Sequence, residues 1–248
     1  MHVSVYDSLV HKQSAGQKML AVLIDPDHIQ NLEESVRRCN ESGVDLIFLG
    51  GSLVSSGTIG ESIERIKKNT DIPVLLFPGD ELQIDSRADA LLLLSLISGR
   101  NPELLIGKQV VAAPYIRKSG LETIATGYML IDGGRITTAS YISGTVPIPA
   151  DKPEIAMCTA LAGEMLGLKL VYMDAGSGAK YPVSAKMISA VREAVNIPIV
   201  VGGGIRSTAE AVDAWRAGAD VVVVGNAIEE DNSLITDLMN ALQDLQQL

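Results

Sequence analysis

Residues 199–226 read IVVGGGIRSTAEAVDAWRAGADVVVVGN. A short apolar run at 199–201 stops at three glycines. An amphipathic stretch at 208–217 follows, and a second apolar run at 221–224 stops at Gly225 and Asn226. Apolar runs of this length suit strands buried on both faces of a parallel sheet, with the amphipathic stretch as the crossover helix. The same unit recurs outward from here. Strands are expected at 20–24, 46–49, 74–77, 90–94, 127–131 and 170–173, which with the two above makes eight. Helices are expected over 31–42, 60–69, 153–166, 183–195 and 208–217, with a last one at 233–245. Eight strands alternating with helices predict an α/β chain folded as a single-domain (β/α)8 TIM barrel over 1–248. Two intervals break the rhythm. Only twelve residues, 78–89, separate the third and fourth strands, too few for a helix with its two loops, so the third outer helix is expected to be missing. The interval 132–152 is instead a Gly- and Pro-punctuated excursion before its helix, and no stretch reads as an interdomain linker.

The chain has 248 residues, 47% hydrophobic and 20% charged, enough for a sizeable core and against disorder. With 20 Lys and Arg against 30 Asp and Glu, the formal charge of −10 argues against a general nucleic-acid binder. Three His leave little material for a His-rich metal centre. Cys39 and Cys158, far apart and in helix-like stretches, are expected to be buried or half-buried free thiols. Residues 1–10 lack a basic-then-apolar leader and no apolar run approaches a membrane span, so a soluble, cytoplasmic protein is expected. Trp215 is read as packing or an oligomer contact. His2, His11 and His28 are read as surface or capping residues.

In such a barrel, ligands meet the carboxyl ends of the strands. There the first strand gives Asp25-Pro26-Asp27, the second Gly50-Gly51-Ser52, and the sixth Tyr172-Met173-Asp174-Ala175-Gly176-Ser177-Gly178. The seventh gives Gly202-Gly203-Gly204 and the eighth Gly225-Asn226. Glycine-rich turns leading into helix starts present unpaired N–H groups to an anion, which points to a phosphorylated small molecule. Across the rim, Asp25 with the Ser52 hydroxyl is suited to Mg²⁺ in an all-oxygen shell completed by water and phosphate. Asp27 is either part of that site or the cap of a helix starting near His28. Facing anion sites imply two substrates, one of them a diphosphate with metal. Asp174, beside the proposed phosphate, is the candidate base.

These segments, with Phe77-Pro78-Gly79, Leu94-Ser95-Leu96-Ile97-Ser98-Gly99-Arg100-Asn101-Pro102, Thr126-Gly127-Tyr128 and Ile131-Asp132-Gly133-Gly134, resemble the geranylgeranylglyceryl phosphate synthases, in the subgroup with archaeal and Bacteroidetes members. The resemblance spans nearly the whole chain and implies a barrel lacking its third outer helix. It implies an ether-lipid step, transfer of a geranylgeranyl group from geranylgeranyl diphosphate to the 3-hydroxyl of sn-glycerol 1-phosphate. By motif, Asp25 and Ser52 would bind Mg²⁺ and the diphosphate. Tyr172, Met173, Asp174, Ala175, Gly176, Ser177, Gly178, Gly203, Gly204, Gly225 and Asn226 would hold glycerol 1-phosphate, with Asp174 and Tyr172 as the catalytic pair. It also implies a homo-oligomer, dimer or hexamer. Two positions depart from the family pattern: Asp174 stands where Glu is common, and Asp80 where a small polar residue is expected.

The sequence is open to two rival readings. Another phosphate-binding barrel enzyme, such as an aldose-phosphate isomerase of histidine biosynthesis or a flavin mononucleotide oxidoreductase, would share the glycine turns without needing Asp25, Ser52 and the Tyr172–Gly178 motif together. A non-catalytic barrel that binds both ligands would follow if Asp174 falls short of the reacting hydroxyl.

Overall fold

The apolar runs become strands because both of their faces are buried in different layers. The computed structural model describes residues 4–28, 31–55, 57–80, 83–231 and 233–247. Its strands are β1 (Met19–Ile24), β2 (Leu46–Leu49), β3 (Val74–Leu76), β4 (Ala90–Leu96), β5 (Glu122–Leu130), β6 (Leu170–Asp174), β7 (Ile199–Gly202) and β8 (Val221–Val224). They pair in parallel in chain order, and β8 closes on β1. Met19, Ala21, Phe48, Leu75, Leu92, Tyr172, Val200 and Val221 fill the interior. The alternate residues, among them Leu20, Val22, Ile47, Leu76, Met173 and Val201, face a second apolar layer beneath the helices. The period of two along each strand thus serves two cores.

The helices are α1 (Val5–Ser14), α2 (Leu32–Ser42), α3 (Ile59–Lys67), α4 (Lys108–Ser119), α5 (Thr138–Ser143), α6 (Pro153–Met165), α7 (Ala185–Ala194), α8 (Thr208–Arg216), α9 (Asn226–Glu230) and α10 (Leu234–Gln246). Among the described residues of 77–89 there is no α-helix, as the short interval required. The connection is a strap instead. Gln83, 5% exposed, donates from Nε2 to Gly51 O at 2.9 Å and accepts at Oε1 from the Gly79 and Gly51 amides at 3.2 and 3.4 Å. The strap lies so close that a Cβ on Gly50 would sit 2.0 Å from Phe77 O.

Several elements were not apparent in the sequence. β5 begins at Glu122 rather than 127, because its polar start pairs with β4 and its first carboxylate works on α1. Glu122 accepts from Ser4 Oγ, Val5 N and Tyr6 N, each at 2.7 Å, and Leu9 of α1 plugs the barrel floor. Helix α4 hides its pattern because it follows a π-helical turn (Glu103–Gly107) and contains Pro114. α5 is short and held by a capping box between Thr137 and Ser140.

Cys39 is buried on α2, and burial pushes its thiol up to about 12. Cys158, expected to be at least half-buried, is exposed, since the buried stripe of α6 is Ala156, Ala160 and Gly163. Trp215 is a packing residue: it is 1% exposed and its Nε1 donates to Met19 O at 3.0 Å. His11 is exposed, and His2 lies outside the described residues. Among the described residues, no helix is long and apolar enough to cross a membrane.

Replacing Glu122→Ala leaves three donors at the start of α1 without their acceptor. The expected loss is about 1–3 kcal/mol, read as a lower urea midpoint with lost hydrogen-exchange protection in α1. An unchanged midpoint would mean that Leu9 alone docks the helix.

Candidate active site

Two cavities meet at the carboxyl ends of the strands. The larger, about 480 Å³, is the more polar of the two. Asp25, Asp27 and His28 reach it from the end of β1, and Ser52 from the end of β2. Tyr172, Asp174, Ser177 and Gly178 come from β6 and its turn, Gly203 and Gly204 from β7, and Gly225 and Asn226 from β8. Not every residue of the Tyr172 to Gly178 stretch reaches the wall. The side chains of Met173 and Ala175 fall on the outer face of the sheet, in the layer beneath the helices. Gly176 acts through its N–H, as follows.

Asp174 closes β6, 7% exposed. Its Oδ1 accepts from Gly176 N at 2.7 Å and its Oδ2 from the Tyr128 hydroxyl at 2.5 Å. Burial pushes the carboxyl above its ordinary range, while these two hydrogen bonds pull against that shift. Each oxygen keeps a second lone pair for a ligand hydroxyl. Gly176 turns its amide back onto Asp174 at φ +89°, a conformation suited to glycine. Tyr172 stacks on Phe77 with centroids 4.8 Å apart and planes 3° from parallel. Burial and the Asp174 charge hold the Tyr172 and Tyr128 phenols well above their usual range, so both stay protonated.

The glycine turns form the opposite wall. The N–H groups of Ser177, Gly178, Gly203 and Gly204 have no acceptor among the described residues. They surround a space beside the first turn of α9, an arrangement that favours an anion. Ser177 Oγ donates to Asn226 Oδ1 at 2.7 Å, tying the β6 and β8 turns together. Arg206, the only Lys or Arg lining the cavity among the described residues, donates to Ala179 O at 2.7 Å and ties the β7 turn to the β6 turn.

On the β1 side, Asp25 Oδ1 accepts from Asp27 N at 2.9 Å, and Oδ2 lies 3.8 Å from His28 Nδ1. Burial raises the Asp25 carboxyl above its ordinary range, so its negative charge is only partly compensated by the protein. A carboxylate and the Ser52 hydroxyl on one wall suit Mg²⁺, which takes one or two protein oxygens and completes its shell with water and phosphate. Among the described residues no three His, Cys, Asp or Glu converge into an all-protein cage. Asp27 is not the cap of α2, which starts at Leu32 with Asn31 as its N-cap. It accepts from Ser55 N, Ser55 Oγ and Gly57 N at 2.7, 2.8 and 2.6 Å, fixing the loop that carries Ser52. His28, read from the sequence as a surface or capping residue, lines the cavity.

The second cavity is an apolar groove of about 330 Å³ on the outer face of β4, where the missing helix would lie. Ile84 of the strap, Leu91 and Leu93 of β4, and Ala112 and Ile116 of α4 form its walls. Tyr128 and Ile142 stand over it, and Asp80 lies on its rim side. Gly51, Ser52 and Phe77 line both cavities and so form the neck between them. Tyr128, Phe77 and Gln83 were not singled out as site residues from the sequence. Tyr128 and Phe77 lie within the stretches that carried the resemblance; Gln83 had no signal.

The profile of the PcrB family matches residues 13–243. A geranylgeranylglyceryl phosphate synthase of Chitinophaga pinensis is 54% identical, over 98% of this chain and 97% of that protein. One from Pyrococcus furiosus is 39% identical, over 99% and 98%. The crystal structure of (S)-3-O-geranylgeranylglyceryl phosphate synthase from Thermoplasma acidophilum, in complex with its substrate sn-glycerol-1-phosphate, superposes with a TM-score of 0.91 at 31% identity, covering 98% of this chain and 99% of that one. The chain belongs to the PcrB family, and the relatives it matches along nearly its whole length are geranylgeranylglyceryl phosphate synthases.

Proposed function

We propose that the protein transfers the geranylgeranyl group of geranylgeranyl diphosphate to the 3-hydroxyl of sn-glycerol 1-phosphate, releasing diphosphate, in ether-lipid synthesis. The observation that carries this reading is the neck at Gly51, Ser52 and Phe77, where an apolar groove opens into a polar, amide-lined cavity. An amphiphile with a hydrocarbon tail and an anionic head fits across it. The second anion then sits at the glycine turns of β6, β7 and β8, with its hydroxyl toward Asp174.

On this reading Tyr172, Ser177, Gly178, Gly203, Gly204, Gly225 and Asn226 hold glycerol 1-phosphate. Met173, Ala175 and Gly176 contribute through the backbone. Asp25 and Ser52 hold Mg²⁺, which when bound neutralises the leaving diphosphate. Asp174 orients the 3-hydroxyl and takes its proton as the new C–O bond forms. Its raised pKa makes it a stronger base, and Tyr128 fixes one of its oxygens so that the shorter side chain keeps a defined aim. The wall charge also divides sensibly. Asp25 faces the metal and Asp174 the proton, Asp27 is spent on the loop that carries Ser52, and Arg206 stands by the phosphate cradle.

We further infer a homo-oligomer, dimer or hexamer, working in the cytoplasm. Ile106, Val110 and Tyr115 around α4 are 60%, 65% and 69% exposed and Tyr141 of α5 is 78% exposed, an apolar face of the kind that subunit contacts cover.

The deciding experiment is transfer from labelled geranylgeranyl diphosphate to sn-glycerol 1-phosphate, beside sn-glycerol 3-phosphate and an EDTA control. Prenyl ether formed with the 1-phosphate, and abolished by EDTA or by Asp25→Ala, is expected. A folded protein without product at any prenyl length overturns the reading. Because the Asp174 pKa is raised, turnover should fall on acidification at a pH above the ordinary carboxylate range. Tyr128→Phe removes a bond that favours the charged carboxylate. It should move that acid limb to still higher pH and cut kcat by about 10- to 100-fold. Gly203→Ala places a Cβ 2.5 Å from Gly176 N and 2.7 Å from Asp174 Oδ1 at φ +81°. Calorimetry with glycerol 1-phosphate should then show affinity reduced by about tenfold or more.

A further inference from the structure

We infer that Phe77 is a catalytic residue of this reaction, its ring stabilising the positive charge that develops on the prenyl C1 as diphosphate departs; the inference rests on the function proposed above. The position of the reacting bond follows from the shape of the site. A tail in the groove and a diphosphate beside Asp25 and Ser52 place the C1–O bond at the neck. Of the three residues there, Gly51 has no side chain and Ser52 faces the diphosphate. Phe77 alone presents a hydrocarbon surface to C1.

The surrounding rings support an electrostatic role. Aromatic residues are only 4% of the chain, yet both of its phenylalanines and two tyrosines converge here. Phe48 and Tyr172 are fully buried and fill the barrel interior, whereas Phe77 is only partly buried and borders both cavities. Tyr172 covers one face of the Phe77 ring in parallel stacking, and Tyr128 meets it edge to face at 5.7 Å. The face of a benzene ring carries partial negative charge and attracts a cation, most strongly where water is excluded. Water exclusion is needed in any case, since water at the neck would trap the cation as prenyl alcohol.

The balance of the step is simple. The C1–O bond of the diphosphate breaks and its electron pair leaves with the diphosphate. The 3-oxygen of glycerol 1-phosphate forms the new bond to C1, and its proton passes to Asp174. Phe77 exchanges neither atoms nor electrons.

The test changes ring charge with little change of size. Phe77→monofluoro-, difluoro- and trifluorophenylalanine are compared with the unsubstituted enzyme in single-turnover transfer, with Phe48→trifluorophenylalanine as the packing control. Transfer should slow with each fluorine, by about 10- to 30-fold for the trifluoro ring, while glycerol 1-phosphate affinity and the Phe48 control stay unchanged. A flat series at 77, or an equal fall in the Phe48 control, overturns the inference while leaving the proposed function standing. Absence of product from the unsubstituted enzyme overturns both.

Discussion

The upper rim of this barrel is arranged around a carboxylate held where little water reaches it. Asp174 is nearly buried, and two hydrogen bonds offset that burial. Each has a consequence for the chain. The bond from Gly176 N demands a left-handed turn directly after β6 and leaves no room for a side chain at Gly203. The bond from Tyr128 requires a tyrosine on β5 at the level of Tyr172, a pairing that the parallel register supplies. The stack of Tyr172 on Phe77 then carries the constraint across the barrel to the end of β3.

The two halves of the site are built from different materials. On the β6, β7 and β8 side the wall is made of backbone amides, held by Ser177–Asn226 and by Arg206–Ala179. Amides are fixed dipoles that do not titrate, so this half would present the same face to an anion at any physiological pH. On the β1 and β2 side the groups are Asp25 and Ser52, whose oxygens suit a hard cation. Asp27 is a scaffold for that side, spending its carboxylate on three donors of the neighbouring loop.

The barrel could be read from the sequence because buried parallel strands are written as unbroken apolar runs. Where an element's reason lies elsewhere in the chain, it could not. Glu122 looks like a loop residue until α1 is seen to hang on it, and α4 has no clear stripe because part of it lines a groove instead of a core. In the site, glycines and rim carboxylates announced themselves, and Asp25, Ser52, Asp174 and Gly203 share one cavity. Met173 and Ala175 belong to the same motif but point outward, a consequence of strand alternation that a contiguous motif hides. Tyr128 and Phe77 read as ordinary strand aromatics, and only the closed barrel brings them to Asp174 and to the neck. Gln83 sits in a strap whose fold depends on backbone contacts across it.

The helix absent after β3 has a thermodynamic side. Elsewhere the outer face of the sheet is roofed by the chain itself, but over Leu93 and Ile84 the roof is missing and both side chains remain only partly buried. A prenyl tail laid in that groove would roof them as a helix would. The lipid then counts among the protein's own core residues, and the unloaded barrel is a fold one element short.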